Sequence, residues 1–348
     1  MTTAQIAPAT APRRDHADGR QADRSDHPSQ ATPIIEVRGL RKTYRSVVAL
    51  DAIDLSIPPA SIGLLGANGA GKTTLIRTLL GLARPDRGSA TVVGFDTQTQ
   101  GVKVREYVGY MPEADALPMG TTAADFVGHM AEMSGLPARA ARQRAADVLY
   151  QVGLGEERYR LIKGFSTGMR QRVKLAQSIV HDPRLVFLDE PTAGMDPQGR
   201  EEMLELVERI YRNLGIAVVF SSHILEDIER VCDYVVIIDG GRVVTSQPLG
   251  DLGTEQGQVI VRVEGDVAAF ERILKQQGYA VGQGQIEGSV DELVVHIEDE
   301  RGYDVIRDAA VAAAVALRSL RSRSRSLEDL YLRNVGTGSL EEVRGGSG

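Results

Sequence analysis

Large apolar residues are scarce before residue 34 and then arrive in short runs. The runs at 34–37, 47–57, 61–65 and 90–93 are rich in Ile, Val and Leu, and their length predicts strands. The run at 61–65 enters a glycine-rich turn, followed by helical spacing over 73–82. A stretch rich in helix formers fills 121–180. Apolar runs at 185–188, 216–220 and 234–238 then alternate with helical segments at 200–214 and 225–231. This alternation predicts an α/β fold, a mostly parallel sheet covered by helices.

A Gly-punctuated stretch at 250–257 reads as a linker, and the pattern then restarts. It predicts a strand at 259–263, a helix at 267–277, strands at 279–286 and 292–297, and a helix at 303–317. An alternating Arg/Ser stretch and the segment 327–332 follow. Strand-helix-strand-strand-helix-strand is a small α+β unit of split βαβ type. The expected organisation has a main domain at 34–250, with a helical subdomain at about 114–180, and a C-terminal α+β domain at 255–335. Residues 1–33 carry too little apolar surface to offset ordering entropy and read as a disordered tail. Residues 336–348 are Gly-rich and read as a flexible tail.

Composition narrows the classes. With 42% hydrophobic and 25% charged residues, most of the 348-residue chain can bury a core. A net charge of −7 argues against a general nucleic-acid binder, which needs a basic footprint. The single cysteine, Cys232, excludes an intramolecular disulfide and a multi-Cys metal site, and suits a reducing compartment. The longest apolar run, 309–317, falls well short of the roughly 20 residues of a membrane-spanning helix. Action at a membrane therefore calls for a partner.

The chemistry begins at Gly66-Ala67-Asn68-Gly69-Ala70-Gly71-Lys72-Thr73, which fits G-x-x-x-x-G-K-[ST] between a strand and a helix. Glycines at 66, 69 and 71 let successive N–H groups wrap phosphate oxygens, and the helix N-terminus adds partial positive charge. Lys72 is placed for the β- and γ-phosphates, Thr73 for Mg²⁺ and Thr74 for the α-phosphate. No N-K-x-D guanine-reading motif follows. The run 185–188 ends in Asp189-Glu190, at the sheet edge where α/β folds bind ligands. Neighbours on a strand face opposite ways, so Asp189 addresses Mg²⁺ while Glu190 addresses an attacking water. A strand followed by an acidic helix cap is the plainer alternative. His223, after Ser221-Ser222, ends a neighbouring strand, where it can hold the γ-phosphate, the water and Glu190 in register. His16, His27, His129, His181 and His296 have no such setting.

Phe165-Ser166-Thr167-Gly168-Met169-Arg170-Gln171-Arg172 lies upstream of the acidic strand. With the phosphate loop, the Asp189-Glu190-Pro191 strand end and His223, it resembles the ATP-binding subunit of an ABC transporter over about 34–249. The resemblance implies a P-loop ATPase domain in which the Ser166–Gly168 segment is the signature. In that family the segment binds the γ-phosphate of ATP held by the opposite subunit, and the resemblance implies the same here. Ser166 is a good helix cap, and Gly168 permits close approach of an anion. Tyr44 matches the aromatic that stacks on adenine, and Asp196 the loop that crosses the dimer interface. Glu190 and His223 are the implied catalytic pair, and Thr73, Asp189 and Glu113 the implied Mg²⁺ neighbours. Glu113 stands where the family has Gln, as is frequent in bacterial exporter ATPases; Thr167, Met169 and Ala67 also depart from the pattern.

The C-terminal unit resembles the domain appended in the drug- and antibiotic-exporter branch. Arg318, Arg321, Arg323 and Arg325 read as a solvated strand face or a contact for anionic lipid. Met111, Met119, Met130 and Met133 lie where the family receives a cytoplasmic helix of the membrane subunit, or else form the core of the helical subdomain. Met119 and Phe126 are the residues expected to line that docking groove. The expected protein is an ATPase that uses ATP and Mg²⁺ and closes head-to-tail with a second copy or a related subunit. It would drive export through a separate multi-span permease at the cytoplasmic face of the membrane. The alternative is a soluble ABC-type ATPase acting on ribosomes or DNA.

Overall fold

The computed structural model describes residues 32–114, 116–252, 254–283, 292–297 and 301–324, together with Leu327, Leu330 and Tyr331. The predicted tails lie almost wholly outside these residues.

The strands β1 (Ile35–Tyr44) and β2 (Val47–Ile57) form a hairpin, and β3 (Ser61–Leu65) leads into α1 (Lys72–Leu79). Then come β4 (Arg87–Val92), β5 (Phe95–Asp96), α2 (Gly101–Tyr107) and β6 (Val108–Met111). The helices α3 (Ala123–Met133), α4 (Ala138–Gln151) and α5 (Thr167–Ile179) fill the predicted helical stretch. They are followed by β7 (Leu185–Asp189), α6 (Pro197–Leu214), β8 (Ala217–Ser222), α7 (Leu225–Val231), β9 (Tyr234–Asp239) and β10 (Arg242–Pro248). The C-terminal part holds β11 (Thr254–Glu264), α8 (Val267–Gln276), β12 (Val281–Gln283), β13 (Glu292–His296), α9 (Arg301–Ala312) and β14 (Ala316–Ser324).

The central sheet has six strands in the order β10-β9-β3-β8-β7-β6. Its interior pairs are parallel, and β10 closes one edge antiparallel. Strands buried on both faces need apolar residues at successive positions, which is why β7 reads Leu-Val-Phe-Leu without alternation. Its odd and even residues serve different cores. Val186 and Leu188 join a cluster with the α3–α7 side, while Leu185 and Phe187 join one with α1 and the antiparallel sheet β2-β1-β4-β5.

In the C-terminal part, four antiparallel strands lie in the order β12-β13-β11-β14, with Phe270 of α8 and Ile306 of α9 in their common core. This is the predicted split βαβ arrangement.

Several expectations need correction. The helix over 73–82 ends at Leu79, because Gly81 has φ 68° and a Cβ there would meet Thr97 O at 2.5 Å. The stretch read as a linker is a 3₁₀ turn, Leu249–Leu252, and the start of β11, whose Thr254 pairs with Ser324. The helix over 303–317 stops at Ala312; Ala314 turns at φ 52° and the chain enters β14. The Arg/Ser stretch is therefore largely this strand. Of its arginines only the Arg318 side chain is described, and it pairs with Glu264. The segment 327–332, described at Leu327, Leu330 and Tyr331, is helical there, and Leu327 and Tyr331 are fully buried in the core of the main domain.

The methionines divide. Met111 is core, Met130 packs against the core, and Met119 and Met133 are 41% and 70% exposed. Phe126, expected beside Met119 in a groove, is partly buried against the core.

Candidate functional site

The loop Gly66–Thr73 joins β3 to α1 and rests on the ends of neighbouring strands. A Cβ at Gly66 would meet Ile238 O at 2.4 Å, and one at Gly71, whose φ is 110°, would meet Ala49 O at 2.6 Å. Only glycine fits either position, so the loop is held tight against its neighbours; within it Ala70 N–H donates to Ala67 O at 3.1 Å. Lys72, 7% exposed, donates from Nζ to Gly66 O at 2.6 Å and lies 3.6 Å from Glu190 Oε1. Thr73 Oγ1 donates to Asp189 Oδ2 at 3.1 Å.

Asp189 ends β7 and is buried. Its Oδ1 accepts from Ser221 Oγ of β8 at 2.7 Å. Glu190 follows with φ 49°, in the left-handed region that a non-glycine residue seldom takes. Its N–H meets Ser221 O at 3.2 Å, which anchors this turn to the adjacent strand. Glu190 Oε2 lies 2.9 Å from His223 Nδ1, whereas Oε1 is buried and accepts no hydrogen bond. The hydrogen bond to Glu190 raises the His223 pKa above its usual range, against the opposing effect of burial.

A cavity of about 230 Å³ is lined by Lys72, Thr73, Asp189 and Glu190; Gly66, Ser221 and His223 are not in its lining. Its lining also includes Asn68, Gly69 and Thr74 of the loop and helix start, together with Glu113. Val47 and Val48 stand at its margin. Tyr44 lies outside this lining, half-exposed at the end of β1 and paired with Val47.

Ser166, Gly168 and Asp196 are not part of it. They line a second cavity, of about 610 Å³, that shares no residue with the first. Ser166 caps α5, accepting from Met169 N at 3.2 Å, and Asp196 caps α6, accepting from Gly199 N at 3.1 Å. Most of the candidate residues thus line two separate cavities of one chain, while Gly66, Tyr44 and His223 line neither.

Three connections in the site leave no mark in the sequence. Ser221 bridges Asp189 and Glu190, a role that its place beside His223 does not announce. Lys174 of α5, buried, donates to the Glu113 carbonyl at 2.8 Å and joins that helix to the loop after β6. Asp227 of α7 holds Thr192 and Arg200. A buried Lys or Asp within a helical pattern leaves no periodic signal.

The ABC transporter family matches residues 50–193. The daunorubicin/doxorubicin resistance ATP-binding protein DrrA of Streptomyces peucetius is 33% identical, over 90% of this chain and 92% of that protein. The linearmycin resistance ATP-binding protein LnrL of Bacillus subtilis is 32% identical, over 87% of this chain and 98% of its own. Among solved structures, cbiO1 of Clostridium perfringens, part of an ABC transporter complex, superposes with a TM-score of 0.59 at 26% identity, over 71% of this chain and 98% of that one. A dimeric post-hydrolysis ATP-binding cassette bound to ADP and Pi shares the fold, with a TM-score of 0.57 at 21% identity, over 62% of this chain and 98% of that one. No helix among the described residues is long and apolar enough to cross a membrane. The chain belongs to the ATP-binding subunits of ABC transporters, and its activity is ATP hydrolysis.

Proposed function

We propose that this subunit drives export through a separate multi-span membrane protein, on whose cytoplasmic face it sits, and that its ATP is enclosed between two copies of the chain. The observation that carries this reading is that the phosphate-loop residues with Asp189 and Glu190 line one cavity, and Ser166, Gly168 and Asp196 another, with no residue in common. A phosphate loop with its acids on one copy would be completed by Ser166 and Gly168 of the other. Export follows the two drug-resistance relatives, each matched over nearly its full length.

In this reading Lys72 binds the β- and γ-phosphates and the loop N–H groups bind the phosphate oxygens. Tyr44 stacks on the base, and Asp196 crosses between the copies. Glu190 acts as general base. Its Oε1 accepts no hydrogen bond and is therefore the oxygen available to take a proton from water. His223 holds the other oxygen, Oε2, and keeps the carboxylate oriented.

Thr73 and Asp189, with Glu113 in the same cavity lining, offer the hard oxygen donors that suit Mg²⁺ bound partly through substrate phosphates. When bound, Mg²⁺ neutralises phosphate charge. The remaining catalysis is positioning by the chain's own groups.

The test is ATPase rate against protein concentration. A rate that rises faster than linearly at low concentration supports closure of two copies. A strictly linear rate from a persistent monomer overturns it. Co-purification with a multi-span membrane protein distinguishes the exporter from the soluble alternative.

A further inference from the structure

Asp227 is fully buried and belongs to none of the motifs that mark the site. It lies on α7, shortly after His223. Its Oδ2 accepts from Thr192 Oγ1 at 3.1 Å, and its Oδ1 from Arg200 Nε at 2.7 Å. Thr192 closely follows Glu190 in the chain. Arg200 is in the first turn of α6, where its N–H donates to Asp196 O at 2.9 Å. One carboxylate therefore joins the three segments that carry Glu190, Asp196 and His223.

Burying a carboxylate is unfavourable unless it is fully partnered, and replacing such a pair with apolar residues is often neutral or stabilising. Stability alone gives little reason for a charge at this point. Geometry gives one. Glu190 is held at φ 49°, a conformation that persists only when the surroundings enforce it. The turn after it is closed by Ala193 N–H on Glu190 O at 3.1 Å and Met195 N–H on Thr192 O at 3.3 Å. Asp227 grips this turn at Thr192. Both of its oxygens are engaged, so it cannot release the turn without losing a hydrogen bond.

We propose that Asp227 is a positioning residue for hydrolysis, fixing the turn after Glu190 and the start of α6 against the segment that carries His223. This rests on the assignment of Glu190 as the general base.

The test compares Thr192→Val, Asp227→Leu and Asp227→Asn in the full chain, with kcat, KM and the stoichiometry of trinitrophenyl-ATP binding read for each. Thr192→Val removes one hydrogen bond at nearly constant volume, and Asp227→Leu removes both. Each is expected to lower kcat per bound nucleotide about tenfold or more, since small misplacements remote from the chemistry are costly. KM is expected to stay within about twofold. Asp227→Asn keeps an acceptor for Arg200 and a donor for the Thr192 hydroxyl, and should hold kcat within about threefold of wild type. Should Asp227→Leu fail to fold, Thr192→Val decides the question. Wild-type kcat in Thr192→Val, or a loss matched wholly by lost binding stoichiometry, overturns the proposal. Undiminished turnover in Glu190→Gln would overturn both this proposal and the assignment beneath it; with that turnover abolished, a normal Thr192→Val enzyme overturns this proposal alone.

Discussion

Lys72 Nζ lies 3.6 Å from Glu190 Oε1, with both side chains more than nine-tenths buried. Nucleotide phosphates must therefore compete with Glu190, and with the Gly66 carbonyl, for the same ammonium. Removing one member of a buried pair leaves the other uncompensated, so Lys72→Met should destabilise the nucleotide-free protein by roughly 3 kcal/mol. Adding Glu190→Gln should recover part of that loss. Urea denaturation of the two single variants and the double variant measures the coupling, and strictly additive losses would show that there is none.

Glu190→Gln keeps the side chain's size while removing its capacity as a base. ATP binding should persist, and turnover should fall by about 100-fold or more. The ATP-loaded variant should run as a dimer on size exclusion. A monomeric elution with ATP bound would contradict enclosure of the nucleotide between two copies.

Two histidines should give opposite pH signatures. The Glu190 hydrogen bond raises the pKa of His223 in the folded state, so the stabilisation from that contact is complete below the ordinary value of 6.5 and fades as pH rises through the raised value. The melting-temperature gap between wild type and His223→Gln should narrow with rising pH. Burial lowers the pKa of His181, so its folded state favours the neutral ring, and stability is lost as pH falls through 6.5. His181→Gln should flatten the acid side of the stability curve. Melting scans across this range read both, and a His223→Gln gap that widens with pH would refute the first.

What could be read from sequence was local. Strands β2 and β3 and helix α7 fall at their predicted bounds, because unbroken apolar runs and flanking turn residues mark them. The loop from Gly66 to Thr73 is legible because one short segment carries the whole motif. The helix expected over 303–317 reaches past the end of α9 because alanines favour helix wherever they stand, yet residues 316–317 pair with Glu264 and Val263 of β11 and are claimed by the sheet. The strand period of the Arg/Ser stretch was visible, but its partner was not. Contacts such as Asp227 with Thr192 span 35 residues and join motifs that the chain keeps apart. No periodicity encodes them.

Met119 is 41% exposed, and a charge placed there meets water at no cost to the core. Met119→Asp should leave basal ATPase within about twofold. If this face receives the membrane subunit, stimulation of ATPase by that subunit in reconstituted vesicles should disappear. Phe126 packs against the core, so Phe126→Asp should cost folding and is the poorer probe. Undiminished stimulation in Met119→Asp would move the docking surface elsewhere.

The end of the described chain returns to the ATPase core. Leu327 and Tyr331 are fully buried in the same cluster as Leu225, Ile228 and Val231 of α7, and Leu327 N–H donates to Glu229 Oε1 at 2.9 Å. These contacts join a segment beyond β14 to the helix that follows His223. Truncating a fully buried leucine to alanine typically costs about 2–5 kcal/mol. Leu327→Ala should therefore lower the melting temperature of the nucleotide-binding core itself, not merely that of the C-terminal sheet. The discriminating measurement is a thermal scan with and without ATP. A transition that ATP shifts upward reports the core, because only the folded site binds nucleotide. If Leu327→Ala leaves that transition in place and lowers only one that ATP does not shift, the segment is not an anchor of the ATPase core. If the ATP-sensitive transition falls, the C-terminal part is built into the stability of the catalytic unit.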